Sequence, residues 1–201
     1  MKNIAIIGGG NIGRRHLQAL ARLDDKYTLF LVDPFSEALG LALKMYEEVK
    51  SDGSPELYLT DEINELPREL FTGIISTNSK ERFTVTKVLL KKNIRHIIFE
   101  KVLFQNVSDY HEIDSIMKNR DITAFVNCRF RADPFYKELR KNYQVPKLLS
   151  FSVKGNNWGV ASNAIHFIDL LNFYTGYTDY QFLDNNVRVV KSNRNGYYEL
   201  E

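Results

Sequence analysis

The sequence predicts an α/β fold: a doubly wound parallel sheet followed by a smaller, partial α/β domain. Three observations predict it. Short apolar runs alternate with segments whose apolar residues recur at helical spacing as far as residue 128. The first run leads into Gly8-Gly9-Gly10-Asn11-Ile12-Gly13, and the second ends on an acidic residue, Asp33. Strand–helix–strand units of this kind pack back onto their sheet as right-handed crossovers.

The first strand, 4–7, is Ile-Ala-Ile-Ile, apolar on both faces as a buried parallel strand must be. A helix over 11–23 carries Ile12, Leu17, Leu20 and Leu23 at helical spacing, and a second strand, 27–32, delivers Asp33. Ser36 is expected to cap a helix over 37–49, which Ser51-Asp52-Gly53-Ser54-Pro55 ends. Residues 57–60 read as a third strand, 61–66 as one or two helical turns closed by Pro67, and 71–77 as a fourth strand. The helix expected over 80–92 turns Phe83, Val85, Val88, Leu89 and Leu90 mostly inward, with Asn93 as its C-cap. A strand over 95–99, a helix over 108–118 capped by Ser108, and a strand over 123–128 complete the alternation.

Beyond residue 130 the pattern changes. It reads as an amphipathic helix over 134–143, a longer strand over 148–158, an apolar helix over 162–174 stopped by Gly176, and a strand over 180–190 broken by Asp184-Asn185-Asn186. The expected domains are 1–122 and 123–201. There is no internal repeat and no low-complexity segment.

A strand, a glycine loop and a helix in this order form a dinucleotide-binding fingerprint. Gly8 permits the tight strand-to-helix turn, Gly10 lets the backbone approach a pyrophosphate, and Gly13 lets the helix pack closely on the sheet. Asn11 and Ile12 open the helix whose N-terminus receives the phosphates. Asp33 falls where a ribose lies; its carboxylate accepts from a 2'-hydroxyl and repels a 2'-phosphate, so NAD is favoured over NADP. An arginine from elsewhere in the fold, Arg14 or Arg15 for example, would have to reach that position to reverse the preference. In doubly wound sheets ligands sit beyond the carboxyl ends of the strands, which makes Gly8 to Gly10, Ser76-Thr77-Asn78 and Glu100-Lys101 the candidate rim.

Composition bounds the rest. The 201 residues are 44% hydrophobic and 26% charged, the profile of an ordinary globular chain with room for one large domain or one domain and part of another. A formal net charge of +2 gives no reason to expect nucleic acid or an anionic membrane as partner. No apolar stretch is long enough to span a bilayer, and the first strand begins directly after Met1-Lys2-Asn3, so the expected compartment is the cytoplasm. A single cysteine, Cys128, excludes an intrachain disulfide framework and a cysteine-rich zinc site, and no metal is expected.

With these residues in view the chain resembles the glucose-fructose oxidoreductase, inositol dehydrogenase and MocA (Gfo/Idh/MocA) family of NAD(P)-dependent oxidoreductases. The resemblance rests on Gly8 to His16, on Ser76-Thr77-Asn78, on Phe99-Glu100-Lys101-Val102-Leu103, which is similar to the family's Glu-Lys-Pro motif, and on Ala164 to Leu171, similar to a family helix bearing a His and, three residues on, an Asp. It implies an N-terminal Rossmann domain and a C-terminal α/β domain whose open sheet usually carries dimer contacts. It also implies hydride transfer between nicotinamide and a hydroxyl carbon of a sugar, cyclitol or nucleotide sugar. Lys101 and His166 are then the candidates to take the hydroxyl proton, with positive charge and partial desolvation lowering the lysine's pKa. Glu100 and Lys101 join the cofactor set, and Asp169 would orient the His166 imidazole or pair with it.

The remaining substrate candidates follow from position. Asn127, Arg129 and Arg131, at the end of the sixth strand, are suited to a phosphate or carboxylate, and Asn156, Asn157 and Trp158 to a sugar ring. Departures from the family's pattern matter as much. Ser162, with Asn163 beside it, stands where many members have an Asp; a hydroxyl or amide can hydrogen-bond a substrate but cannot serve as a carboxylate base. Val102 replaces the motif's proline, Arg82 stands where a His is frequent, and the chain is much shorter than is usual. The final Leu200-Glu201 resembles residues preceding a purification tag, consistent with truncation. The alternative on the same fold is a dinucleotide-binding regulatory or assembly protein that has lost its chemistry.

Overall fold

The computed structural model describes residues 1–24, 26–142, 150–155, 159–181, 183, 188–192, 196 and 198–200. The chain divides into two compact units, Met1–Asn127 and Cys128–Glu201.

The first unit is a six-stranded sheet in the order β3-β2-β1-β4-β5-β6. Its strands are β1 (Lys2–Ile7), β2 (Tyr27–Val32), β3 (Glu56–Thr60), β4 (Glu69–Ile75), β5 (Asn93–Phe99) and β6 (Thr123–Val126). All neighbours pair in parallel. The chain steps outward from β1 to β3, then returns to place β4 on the other side of β1, so the order reverses between β1 and β4. A ligand crevice opens at such a reversal because the two flanking connections leave on opposite faces.

Strand parity divides the core. On β1, Ile4 and Ile6 join Leu17, Ala21, Leu29, Leu31 and Ala42 in one cluster, beneath α1 (Asn11–Leu20) and α2 (Ser36–Glu47). Ala5 and Ile7 point to the other face and join Leu89, Ile97, Phe99 and Ile113, against α3 (Ser79–Leu89) and α4 (Val107–Asn119). Burial on both faces is why β1 carries no polar residue from Ile4 to Ile7.

Several expected boundaries shift, for reasons of hydrogen bonding. Ser36 is the first residue of α2 and Phe35 its N-cap, because the carboxylate of Asp33 already accepts the Phe35 N–H. Asn78 caps α3 by accepting from the Glu81 N–H at 3.1 Å. Asn93 opens β5 instead of capping α3; its N–H donates to Arg68 O and its side chain reaches the Glu69 carboxylate. Asn106, not Ser108, is the N-cap of α4. Residues Ile63–Glu65 form a single 3-10 turn. The expected domain boundary at 122/123 falls before β6, whose pairing with β5 carries the first unit on to Asn127.

The second unit holds a 3-10 turn at Arg129–Ala132, α5 (Pro134–Asn142), α6 (Val160–Thr175) and an antiparallel pair, β7 (Val189–Lys191) with β8 (Tyr198–Leu200). Gly176 ends α6 as expected, in the left-handed region at φ 73°, with its N–H returning to Asn172 O at 2.7 Å. The long strand expected over 148–158 is not formed by its described part, 150–155: no strand among the described residues pairs with it, and an extended segment without a partner has no ladder to satisfy its backbone. The strand expected over 180–190 is confined, among the described residues, to β7. Asp184, Asn185 and Asn186 lie outside the described residues, as do Asn156, Asn157 and Trp158.

Candidate functional site

At the carboxyl end of β1 the chain turns through Gly8, at φ 103°, a conformation only glycine adopts without strain. Its N–H donates to Val32 O at 2.8 Å, holding the turn to β2. Gly13 lies directly over it: a Cβ there would stand 1.8 Å from Gly8 O, so no side chain fits. Gly10 is different. A Cβ there would meet nothing within 4 Å, leaving open space in front of the N-terminus of α1. The first N–H groups of a helix have no intrahelical acceptor, and α1 has no acidic residue in its first turn to compete for them.

Asp33 is buried beside this loop. Its Oδ2 accepts the Gly9 N–H at 2.6 Å and its Oδ1 accepts the Phe35 N–H at 3.0 Å. Each oxygen keeps a further lone pair. The Ser76 hydroxyl lies 3.0 Å from Ile7 O and 2.9 Å from Gly8 O, locking the end of β4 to the glycine turn. The cleft these segments enclose has a volume of about 590 Å³, the size range of cofactor sites. Gly8, Gly10, Asp33, Ser76, Thr77 and Asn78 all line it. Asp61, Glu62 and Glu81 line it too, and among the described residues no lysine or arginine does. Arg14 is directed elsewhere, to Gly9 O and the Asn11 side chain, and Arg15 to Gln18.

Of the expected cofactor residues, Asn11, Ile12, Gly13, Glu100 and Lys101 are not in that lining. Ile12 is exposed and Gly13 acts through its close approach to Gly8. Glu100 is buried in a polar network: its Oε1 lies 2.8 Å from His16 Nε2 and accepts from Asn127 Nδ2 at 2.6 Å. Burial works to raise the Glu100 pKa, but the hydrogen bonds from His16 and Asn127, with the charges of His16 and Arg82, outweigh it and hold the carboxyl below its usual range. Lys101 follows on a half-buried turn, and the Lys101–Val102 peptide bond is cis.

His166 lies on α6, its ring 5.6 Å from that of Phe130, and with Arg129, Phe130, Asn163 and Phe167 it lines a cleft of about 410 Å³. Asp169, expected to act on the imidazole, is engaged by Arg131: Nε donates to Oδ2 at 2.8 Å and Nη2 to Oδ1. That bond raises the Arg131 pKa. The Ser162 hydroxyl lies 3.2 Å from Gly159 O and 3.5 Å from Glu199 Oε2, at the N-terminus of α6. Of the residues expected to act on a substrate anion, Asn127 donates to Glu100, Arg131 donates to Asp169, and Arg129 lines the cleft with His166.

Residues 2–128 match the model of the Gfo/Idh/MocA oxidoreductases, described as "Oxidoreductase family, NAD-binding Rossmann fold". The chain belongs to this family. No curated protein matches it significantly. Among solved structures it is similar to myo-inositol 2-dehydrogenase from Lactobacillus plantarum, at 18% identity and a TM-score of 0.67 over 87% of this chain and 56% of that one. It is similar also to scyllo-inositol dehydrogenase from Lactobacillus casei, solved with NAD(H) and scyllo-inositol (16%, TM-score 0.67, 96% of this chain and 60% of that one). A third is UDP-N-acetylglucosamine 3-dehydrogenase from Acidithiobacillus ferrooxidans (18%, TM-score 0.67, 96% and 62%). The chain thus spans less than two thirds of each of these proteins.

An NAD-binding oxidoreductase of this family needs a cradle for a pyrophosphate and a ribose acceptor, and the residues present fit both. Gly10 leaves the helix terminus open, and Asp33 stands buried at the cleft wall. Two residues of the site were not singled out from sequence. His16 appeared only as the last residue of a motif. Arg82, read as a departure, is buried on α3 at i, i+4 and i+7 spacing with Thr86 and Leu89. That spacing was visible, but a cation on it reads as a solvated face until its acceptors are known. Among the described residues, no helix is long and apolar enough to cross a membrane, and no cluster of His, Cys, Asp and Glu is arranged to hold a metal.

Proposed function

We propose that this protein is an NAD-dependent dehydrogenase acting on a hydroxyl carbon of a sugar, cyclitol or nucleotide sugar. The observation that carries the reading is the cleft at the β1/β4 reversal, open at Gly10 and lined by four acidic residues, Asp33, Asp61, Glu62 and Glu81, and by no lysine or arginine among the described residues. Such a wall accepts ribose hydroxyls and repels a 2'-phosphate, which favours NAD over NADP.

The N–H groups opening α1 would hold the pyrophosphate, and Asp33 the adenosine ribose. Bound NAD supplies the hydride acceptor at nicotinamide C4. As hydride leaves a carbinol carbon, its hydroxyl proton must pass to a base; we assign this to Lys101 in its amine form, with His166 as the second group on the substrate. Arg129 and Asn163, which share the His166 cleft, would hydrogen-bond the substrate's other oxygens.

The test is reduction of NAD, followed by nicotinamide absorbance, across a panel of cyclitols, sugars and nucleotide sugars. Lys101→Ala is expected to lower turnover by about 10²–10⁴-fold while NADH binding is retained. NADH binding without turnover of any compound on the panel would refute the enzymatic reading.

A further inference from the structure

Arg82 is 3% exposed, and its guanidinium donates to backbone carbonyls that belong to two different strand ends. Nη1 donates to Glu100 O at 2.6 Å, to Val102 O, and more weakly to Leu103 O at 3.4 Å. Nη2 donates to Thr77 O. The first set brackets Lys101, with an acceptor one residue before it and another one residue after. The last lies in the segment that follows β4 and lines the cofactor cleft.

We infer that Arg82 is a positioning residue for Lys101. Removing a guanidinium from water is costly, and a site that needed only stability would do better with an apolar side chain of similar volume. What the planar fork supplies, and an apolar chain or an ammonium cannot, is several donors in fixed directions from one group. Here it holds the turn bearing Lys101 at a set distance from the Thr77 segment, so the lysine and the cofactor wall move as one body. Arg82 itself touches neither cofactor nor substrate in this scheme; it acts through the backbone on either side of Lys101.

This inference rests on the role proposed for Lys101, and its test separates the two. In R82K and R82Q, with NADH affinity measured by titration, the rate of acetylation at Lys101 is followed by mass spectrometry against that at Lys44, an exposed lysine on α2. The expected result is a rise of at least threefold at Lys101 relative to Lys44, with NADH affinity within about twofold of wild type. Rates that rise together at both lysines, or not at all, overturn the inference, as does failure of both variants to fold, since Arg82 would then serve the fold. This measurement needs no turnover, so it stands even if the wild type oxidises nothing. Where the wild type is active, R82K should lower kcat at least tenfold with KM for NAD unchanged, and should have no further effect in a Lys101→Ala background; a purely structural role would persist there.

Discussion

His16 and Glu100, 84 positions apart, meet at 2.8 Å between Nε2 and Oε1, tying the helix that opens at the glycine loop to the turn that carries Lys101. Because the Glu100 carboxyl is held below its usual range, the folded protein binds fewer protons than the unfolded chain as the medium is acidified. The stabilisation is complete above the ordinary glutamate range and is lost as pH falls through the depressed folded-state value. Thermal midpoints measured from about pH 7 to about pH 3 should therefore fall on the acid side, and Glu100→Gln should flatten that limb. An acid limb of equal steepness in the variant would remove Glu100 from the account.

Gly13 and Gly10 should respond oppositely to alanine. Gly13→Ala places a methyl 1.8 Å from Gly8 O, a clash with backbone that cannot be relieved by a rotamer, and is expected to destabilise by about 3 kcal/mol or more. Gly10→Ala meets nothing and should change stability by about 1 kcal/mol or less, while costing at least roughly tenfold in NAD affinity, about 1.4 kcal/mol. Chemical denaturation and calorimetric NAD titration of both variants decide the matter; equal NAD affinity in Gly10→Ala and wild type would place the pyrophosphate elsewhere.

Asp33 is the proposed discriminator between cofactors. Asp33→Ser removes the charge that faces a 2'-phosphate and shortens the acceptor that holds the Gly9 N–H. NAD affinity should drop about tenfold or more and the NAD/NADP ratio should narrow, since loss of a charged hydrogen-bond partner costs about 1.5–3 kcal/mol. An unchanged ratio would transfer the selectivity to the other carboxylates of the cleft.

Arg131 and Asp169 form a two-point pair that is half exposed on the arginine side, so its net worth is modest. A double-mutant cycle of Arg131→Ala and Asp169→Ala should return a coupling of about 1 kcal/mol. Coupling near zero would mean that the pair merely shares a surface.

The sheet was readable in the sequence because burial on both faces leaves little freedom of residue type: Ile4 to Ile7, Leu29 to Val32 and Ile97 to Phe99 are apolar for the same reason they are central. The glycine loop was readable because each glycine answers a steric demand at a fixed offset. Caps were less so, since Ser36 and Asn93 have the right chemistry but lie beside stronger partners, Asp33 and Arg68 O. The site's long-range polar bonds were not readable at all. Nothing local to Arg82, Asn127 or Asp169 states which carbonyl or carboxylate the tertiary fold will bring to it.

The reversal of strand order has a consequence for the order in which the protein is made. Gly8 is synthesised well before the residue that secures its carbonyl, since that hydroxyl comes from Ser76, 68 positions later. A nascent or partly folded chain that has completed β1, α1 and β2 holds every glycine of the loop and Asp33 as well, but lacks the far wall of the cleft. Recognition of the dinucleotide thus reports on the docking of β4 beside β1, and a chain arrested before that step is invisible to it. The free energy of binding, about 2.7 kcal/mol at a hundredfold excess over Kd, accrues only to molecules that have completed that return.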